Sequence, residues 1–204
     1  MEIITYYGTP FITNGYVLRD GGEAIVIDPG EITETMKQAI EGHKVTMVLN
    51  THCHIDHCMA NAEAVELTGA PLVLPEAELP LLRAMPDQGA MFGVPVKPSP
   101  EPDRFIEAGD TVTIGSVELA VRAAPGHSPG HIILVGDDFV IGGDVLFRGS
   151  IGRTDLPGGD YEQLMESIRR EMLSLPDETV VYSGHGPETT IGEERASNPF
   201  LQGL

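Results

Sequence analysis

Three stretches rich in β-branched and aromatic residues, 3–7, 11–18 and 23–28, are separated by Gly, Pro and Asn turn signals, so the chain opens as a strand meander. Pro29-Gly30 breaks that period. Ile32, Met36, Ala39 and Ile40 then recur at helical spacing until Gly42, and residues 45–49 return to strand. Residues 58–67 read as an Ala-rich helix stopped at Gly69, followed by a short strand over 72–74 and a helix from Glu76 to about Met85. Residues 94–103 carry four prolines and predict an extended loop, because proline fixes its own φ and restricts the residue before it. Beyond them, strands are predicted over 105–107, 111–114, 117–124, 132–135 and 139–141, a helix over 161–173 and a last strand over 179–182.

Strands followed by helices, twice over, indicate an α/β chain: two sheets packed together with helices outside. Its length suits a single domain, 1–204, made of two halves with a seam at 94–103. Hydrophobic residues at 41% and charged residues at 21% exclude a disordered or fibrous chain. Against 12 Lys+Arg stand 31 Asp+Glu, a formal charge of −19, which repels nucleic acid and anionic lipid. Neither nucleic acid nor membrane is expected as a partner, and no protein partner is indicated. An anionic substrate would need local attraction, from bound cations or one placed Arg. The first ten residues lack a secretory pattern, no apolar run is long enough to span a bilayer, and only Cys53 and Cys58 are present; a cytoplasmic location is expected.

The chemistry is carried by histidines. Three of the seven lie in Asn50-Thr51-His52-Cys53-His54-Ile55-Asp56-His57, an H-x-H-x-D-H pattern. His52 and His54 stand two apart at a strand end, so both imidazoles project from one side and can grip one cation. Asp56 and His57 turn into the next helix and can reach a second. His127, Asp144 and His185 each follow a predicted strand and are flanked by glycines that permit tight turns. Such positions gather along one sheet edge, where crevices open in α/β proteins.

The motif, with the stretches Pro125-Gly126-His127-Ser128-Pro129-Gly130-His131, 143–159 and the tail Asn198-Pro199-Phe200, resembles the metallo-β-lactamase superfamily. More narrowly it is similar to the short type II glyoxalases, hydroxyacylglutathione hydrolases without the added helical domain. The resemblance implies an αββα sandwich of two mixed sheets with outer helices. It also implies a binuclear site: His52, His54 and His127 on one divalent ion, Asp56, His57 and His185 on the other, Asp144 bridging, and Asp56 and Asp144 serving catalysis directly. Zinc is the expected metal, with iron or manganese compatible with the same donors.

The implied reaction is hydrolysis of a small-molecule thioester such as S-lactoylglutathione by a hydroxide bridging the ions. A thiolate leaves readily, so a general acid is not required. The alternative is a mononuclear-iron persulfide dioxygenase using the positions of His52, His127 and Asp144. Antibiotic hydrolysis is set aside because Asp144 stands where zinc β-lactamases carry Cys. Arg153 is expected either to receive a substrate carboxylate or to pair with Asp155 or Asp160. His43 reads as structural, and His131 as either an orienting residue or a strand lining. Cys53 and Cys58 read as small buried hydrophobes, and Met85, Met91 and Phe92 as either a lip over the pocket or ordinary packing.

Overall fold

The opening meander forms as its pattern predicts in the computed structural model, which describes residues 1–8 and 10–203. β1 (Glu2–Gly8), β2 (Thr13–Asp20) and β3 (Glu23–Ile27) pair antiparallel. Thr33 then caps α1 (Glu34–Ile40) by accepting the Met36 N–H at 3.1 Å, and Met36 and Ala39 are buried. β4 (Lys44–Leu49) follows, parallel to β3.

The predicted 58–67 helix is corrected in two respects. Helical turns begin earlier, at α2 (Ile55–Cys58), and the chain breaks before α3 (Asn61–Thr68). The break arises because the Ala60 N–H leaves the helix to donate to the Pro29 carbonyl at 3.0 Å. β5 (Leu72–Leu74) comes next, then a tight turn over 76–78, α4 (Leu79–Arg83) and α5 (Met85–Phe92). The sequence reading stopped near Met85, yet Pro86 sits in the first turn of α5, where a missing N–H costs no hydrogen bond. After the proline-rich loop, β6 (Arg104–Phe105) pairs with β5. It is shorter than the predicted 105–107 and belongs to the first sheet, not to the second half. That sheet is mixed, ordered β1-β2-β3-β4-β5-β6.

The second sheet is built from β7 (Thr111–Ile114), β8 (Val117–Ala123), β9 (Ile132–Val135) and β10 (Phe139–Gly143). A small hairpin of β11 (Leu146–Phe147) and β12 (Ser150–Ile151) precedes α6 (Tyr161–Ser167), capped by Asp160 and continued to Met172 by a wider turn. β13 (Val180–Ser183), β14 (Thr189–Thr190) and α7 (Ile191–Ser197) close the fold. Hairpin, β14 and α7 were absent from the sequence reading. The order is β14-β13-β10-β9-β8-β7, again mixed, since β10 and β13 run parallel while β9 opposes β10.

The chain divides into two units, residues 1–106 with 113–118, and residues 107–112 with 119–204. Each has its own core. In the first, Val17, Val26, Val48, Leu72 and Leu74 meet Met36, Ile55 and Leu82. In the second, Ile133, Val140 and Val181 meet Leu164, Ile168 and Met172 from the helix. β3 and β5 are buried almost residue by residue, which explains why they read as continuous apolar runs. Among the described residues no helix is long and apolar enough to cross a membrane.

Candidate metal centre

In the first unit, β4 runs parallel between β3 and β5 and delivers residues 50–57 at its C-terminal end. His52, His54 and His57 are buried there, with the His52 ring 5.0 Å from that of His54 and 4.1 Å from that of His57. The Asp56 Oδ2 lies 3.4 Å from His57 Nε2 and accepts the Thr13 hydroxyl at 2.8 Å. The whole H-x-H-x-D-H set is thus gathered in this unit.

Asp28, at the end of β3, organises the set, and sequence reasoning passed over it. Its carboxylate is buried and accepts the Thr51 N–H at 2.7 Å and the Thr51 hydroxyl at 2.6 Å. The same Oδ2 lies 3.1 Å from His57 Nδ1. A carboxylate only accepts, so His57 carries its proton on Nδ1 and its lone pair on Nε2. Thr51 passes the constraint on: its own proton is committed to Asp28, so its oxygen accepts from His52 Nδ1, 3.1 Å away, and His52 likewise has its lone pair on Nε2. Asp28, His52 and His57 bring their ligand atoms within 4.8 Å of one another. The hydrogen bond to Nδ1 makes Asp28 the orienting member of that trio. The only signal in the sequence was a strand ending in Asp-Pro-Gly, read as a turn.

In the second unit the parallel pairing of β10 and β13 sets their C-terminal ends side by side, and Asp144 and His185 follow directly. Asp144 Oδ2 lies 3.6 Å from His185 Nε2 and 3.4 Å from His127 Nε2, one oxygen serving both imidazoles. His127 Nδ1 meets the backbone carbonyl of Arg153 at 2.8 Å, so this ring too is protonated on Nδ1 and presents Nε2. His131 Nε2 accepts the Asp144 N–H at 3.0 Å, so of its open alternatives it takes the orienting one: it holds Asp144 by the backbone. The ring of Phe147 packs edge-on against His185 at 6.1 Å.

Two glycines allow the backbone to press behind the carboxylates. A Cβ on Gly30 would stand 2.1 Å from the Asp56 carbonyl oxygen, and one on Gly152 2.0 Å from that of Asp144 and 3.2 Å from His127 Nδ1. Gly152→Ala therefore displaces Asp144, and it is expected to cost about 1–3 kcal/mol by overpacking. Calorimetry and metal analysis of the purified variant check this; an unchanged Tm and metal content would show that the loop yields freely.

The Arg153 guanidinium is engaged by Asp155, Nε to Oδ1 at 2.7 Å and the second nitrogen to Oδ2 at 2.8 Å, both groups exposed. The arginine beside it lowers the Asp155 carboxyl to about 2. Both groups are thus charged at neutral pH, and the carboxylate loses its charge only as pH falls toward that value. Burial, with Cys58 bonded to it, pushes the Cys53 thiol far up, and the Cys58 thiol donates to the His54 carbonyl at 3.3 Å. Both are free, buried cysteines, as expected of small apolar residues.

Imidazole nitrogens and carboxylate oxygens with tautomers fixed in this way fit a divalent transition metal. A family model described as "Metallo-beta-lactamase superfamily" matches residues 8–185. The hydroxyacylglutathione hydrolase GloC of Haemophilus influenzae is 39% identical over 192 residues, 89% of this chain and 89% of its own. Among solved structures, BLEG-1 B3 metallo-beta-lactamase superposes with a TM-score of 0.91 at 36% identity, covering 99% of this chain and 100% of its own. TTHA1623, solved in a di-iron-bound form, gives 0.89 at 38% identity, over 97% and 100% of the two chains. With two mixed sheets, a metal-ligating motif at a strand end and relatives matching along nearly its whole length, the chain belongs to the metallo-beta-lactamase superfamily.

Proposed function

We propose that this protein is a binuclear metallohydrolase that cleaves a small acyl thioester, S-lactoylglutathione or a related ester. In this reading His52, His54 and His127 hold one divalent cation, Asp56, His57 and His185 a second, and Asp144 is shared. The observation that carries the reading is the pinning of His52, His57 and His127 at Nδ1, by Thr51, Asp28 and the Arg153 carbonyl, which turns three Nε2 lone pairs into ligands.

The chemistry such cations supply when bound is Lewis acidity, which lowers the pKa of water from about 15.7 toward about 7 and polarises a carbonyl. The protein's own part is positional. Asp28 and Thr51 keep two rings in register, His131 holds the Asp144 backbone, and Thr13 steadies the Asp56 carboxylate. Thioesters suit the site because a thiolate, with a pKa of about 8.5, departs without a proton donor. Zinc is the proposed ion; the di-iron form of TTHA1623 makes iron the first alternative. The two buried thiols suit the reducing cytoplasm.

The test is metal analysis of protein purified without added metal, paired with three assays under matched metal loading. Hydrolysis of S-lactoylglutathione with two ions per chain supports the reading. Oxygen uptake with glutathione persulfide and one iron per chain replaces it by persulfide oxidation. The likeness to BLEG-1 makes a β-lactam the third substrate; its hydrolysis in preference to the thioester would also overturn the proposal. Arg153→Ala separates two roles for that residue: a raised KM with kcat little changed assigns the guanidinium to a substrate carboxylate, whereas unchanged kinetics leave it to Asp155.

A further inference from the structure

The tail motif Asn198-Pro199-Phe200 supplies none of the donors assigned above, yet Asn198 is buried, as is Glu194 one helical turn before it. The Glu194 carboxylate accepts the Gly149 N–H at 2.8 Å, the Thr189 hydroxyl at 2.6 Å and the Asn198 side-chain amide at 2.8 Å. The same amide donates to the Ser150 carbonyl at 3.0 Å. The end of the chain thus grips the β11–β12 hairpin by the backbone groups of two adjacent residues. A buried carboxylate is costly to desolvate, and an apolar pair would pack α7 onto the core at lower cost. What the polar pair adds is direction, since it fixes where the N–H of Gly149 and the carbonyl of Ser150 lie.

The hairpin needs such a hold. Its ladder has only two residue pairs, Leu146 with Ile151 and Phe147 with Ser150, too few to fix a ribbon on its own. The candidate ligands of the second unit lean on it. Phe147 sets its ring edge-on against His185. The Gly152 N–H, just past β12, donates to the Val145 carbonyl at 3.2 Å, next to Asp144. The Arg153 carbonyl follows and meets His127 Nδ1.

The geometry points to Glu194 and Asn198 as positioning residues of the metal centre: they lock the hairpin, and through it set the rings of His127 and His185 for the cations. This rests on the assignment of those two histidines to metal in the function proposed above, and not on the thioester as substrate.

Chelator competition with zinc, on the purified zinc-loaded protein, tests this together with nitrogen NMR of its histidine rings. Glu194→Ala and Asn198→Ala should each weaken zinc binding by about tenfold, the low end of the range for groups that orient ligands. Each should also shift or broaden the His127 Nδ1–H signal. Glu194→Gln should recover most of the affinity, because its oxygen can take the Gly149 and Asn198 donors while its amide donates to the Thr189 oxygen. Thr189 can then turn its proton to Glu193, whose Oε2 lies 3.0 Å away. Asn198→Ala leaves Glu194 two of its donors and carries the test if Glu194→Ala does not fold. Ile191→Ala is the stability control: the residue is buried in the second core on the same helix, so Tm should fall while zinc affinity and the His127 signal hold. The inference is overturned if the alanine variants bind zinc as tightly as the wild type, or if Ile191→Ala weakens binding as much as they do. It is equally overturned if Glu194→Gln is as weak as Glu194→Ala, which would trace the effect to the buried charge. A wild-type protein that binds zinc but leaves the thioester intact sinks the hydrolase reading, and the affinity losses then still support the latch.

Discussion

If the proposed binuclear hydrolase site is right, Asp144→Asn is expected to lower kcat/KM for the thioester by about 10³ or more, a loss of over about 99.9%, against the 10–100-fold attached to residues that merely orient a ligand. The size follows from position. One oxygen of Asp144 lies within 3.6 Å of the Nε2 atoms of both His185 and His127, so neutralising that carboxylate weakens whatever either imidazole holds. Asparagine is close to isosteric, and its backbone N–H still reaches His131, so circular dichroism and the near-neutral Tm should be little altered. Metal content by emission spectrometry should fall together with activity. Full turnover in the variant would remove Asp144 from the site and the binuclear proposal with it.

Asp28→Asn carries the second large effect, although Asp28 stands outside the ligand set. Its carboxylate receives three donors, the Thr51 N–H, the Thr51 hydroxyl and His57 Nδ1. An amide at that position offers one accepting oxygen and adds two N–H groups, so at least one donor faces another donor in a buried setting. The expected cost is about 1–3 kcal/mol of stability. Metal affinity should fall by about 10–100-fold, because Thr51 and His57 lose the constraint that fixes their protons. The substitution is clean in one respect: Asp28 has a φ of 50°, and asparagine tolerates that left-handed region as well as aspartate does. Chelator competition and thermal unfolding of the metal-free protein measure the two effects separately. If affinity holds while Tm falls, Asp28 serves only to brace the loop.

These two residues differ in how visible they were. Asp144 announced itself as a glycine-flanked carboxylate after a strand, and the histidines as a dense motif, because ligand spacing along a strand end is a local property. Asp28 acts across 23 residues to Thr51 and 29 to His57, and no periodicity encodes a hydrogen bond of that reach. Arg153 shows the same limit differently. Its side chain drew attention, but the atom that meets His127 is its backbone carbonyl, which any residue would supply. His131 could not be assigned until the Asp144 N–H was seen to meet it.

The chain's own pattern determined the α/β class, the opening meander, β4 and the cluster of metal-binding donors that follows it, since each rests on period, turn residues or donor type within a few positions. Tertiary structure alone decided that β6 joins the first sheet, that α5 continues past Pro86, and that α2 stops where Ala60 turns to Pro29. It also decided which ring nitrogen of His52, His57 and His127 carries the proton. The physical reason is common to all of these: apart from the N–H that proline lacks, backbone N–H and carbonyl groups are alike at every residue, so their choice among partners is made by what the folded chain brings within about 3 Å, not by the letter at that position.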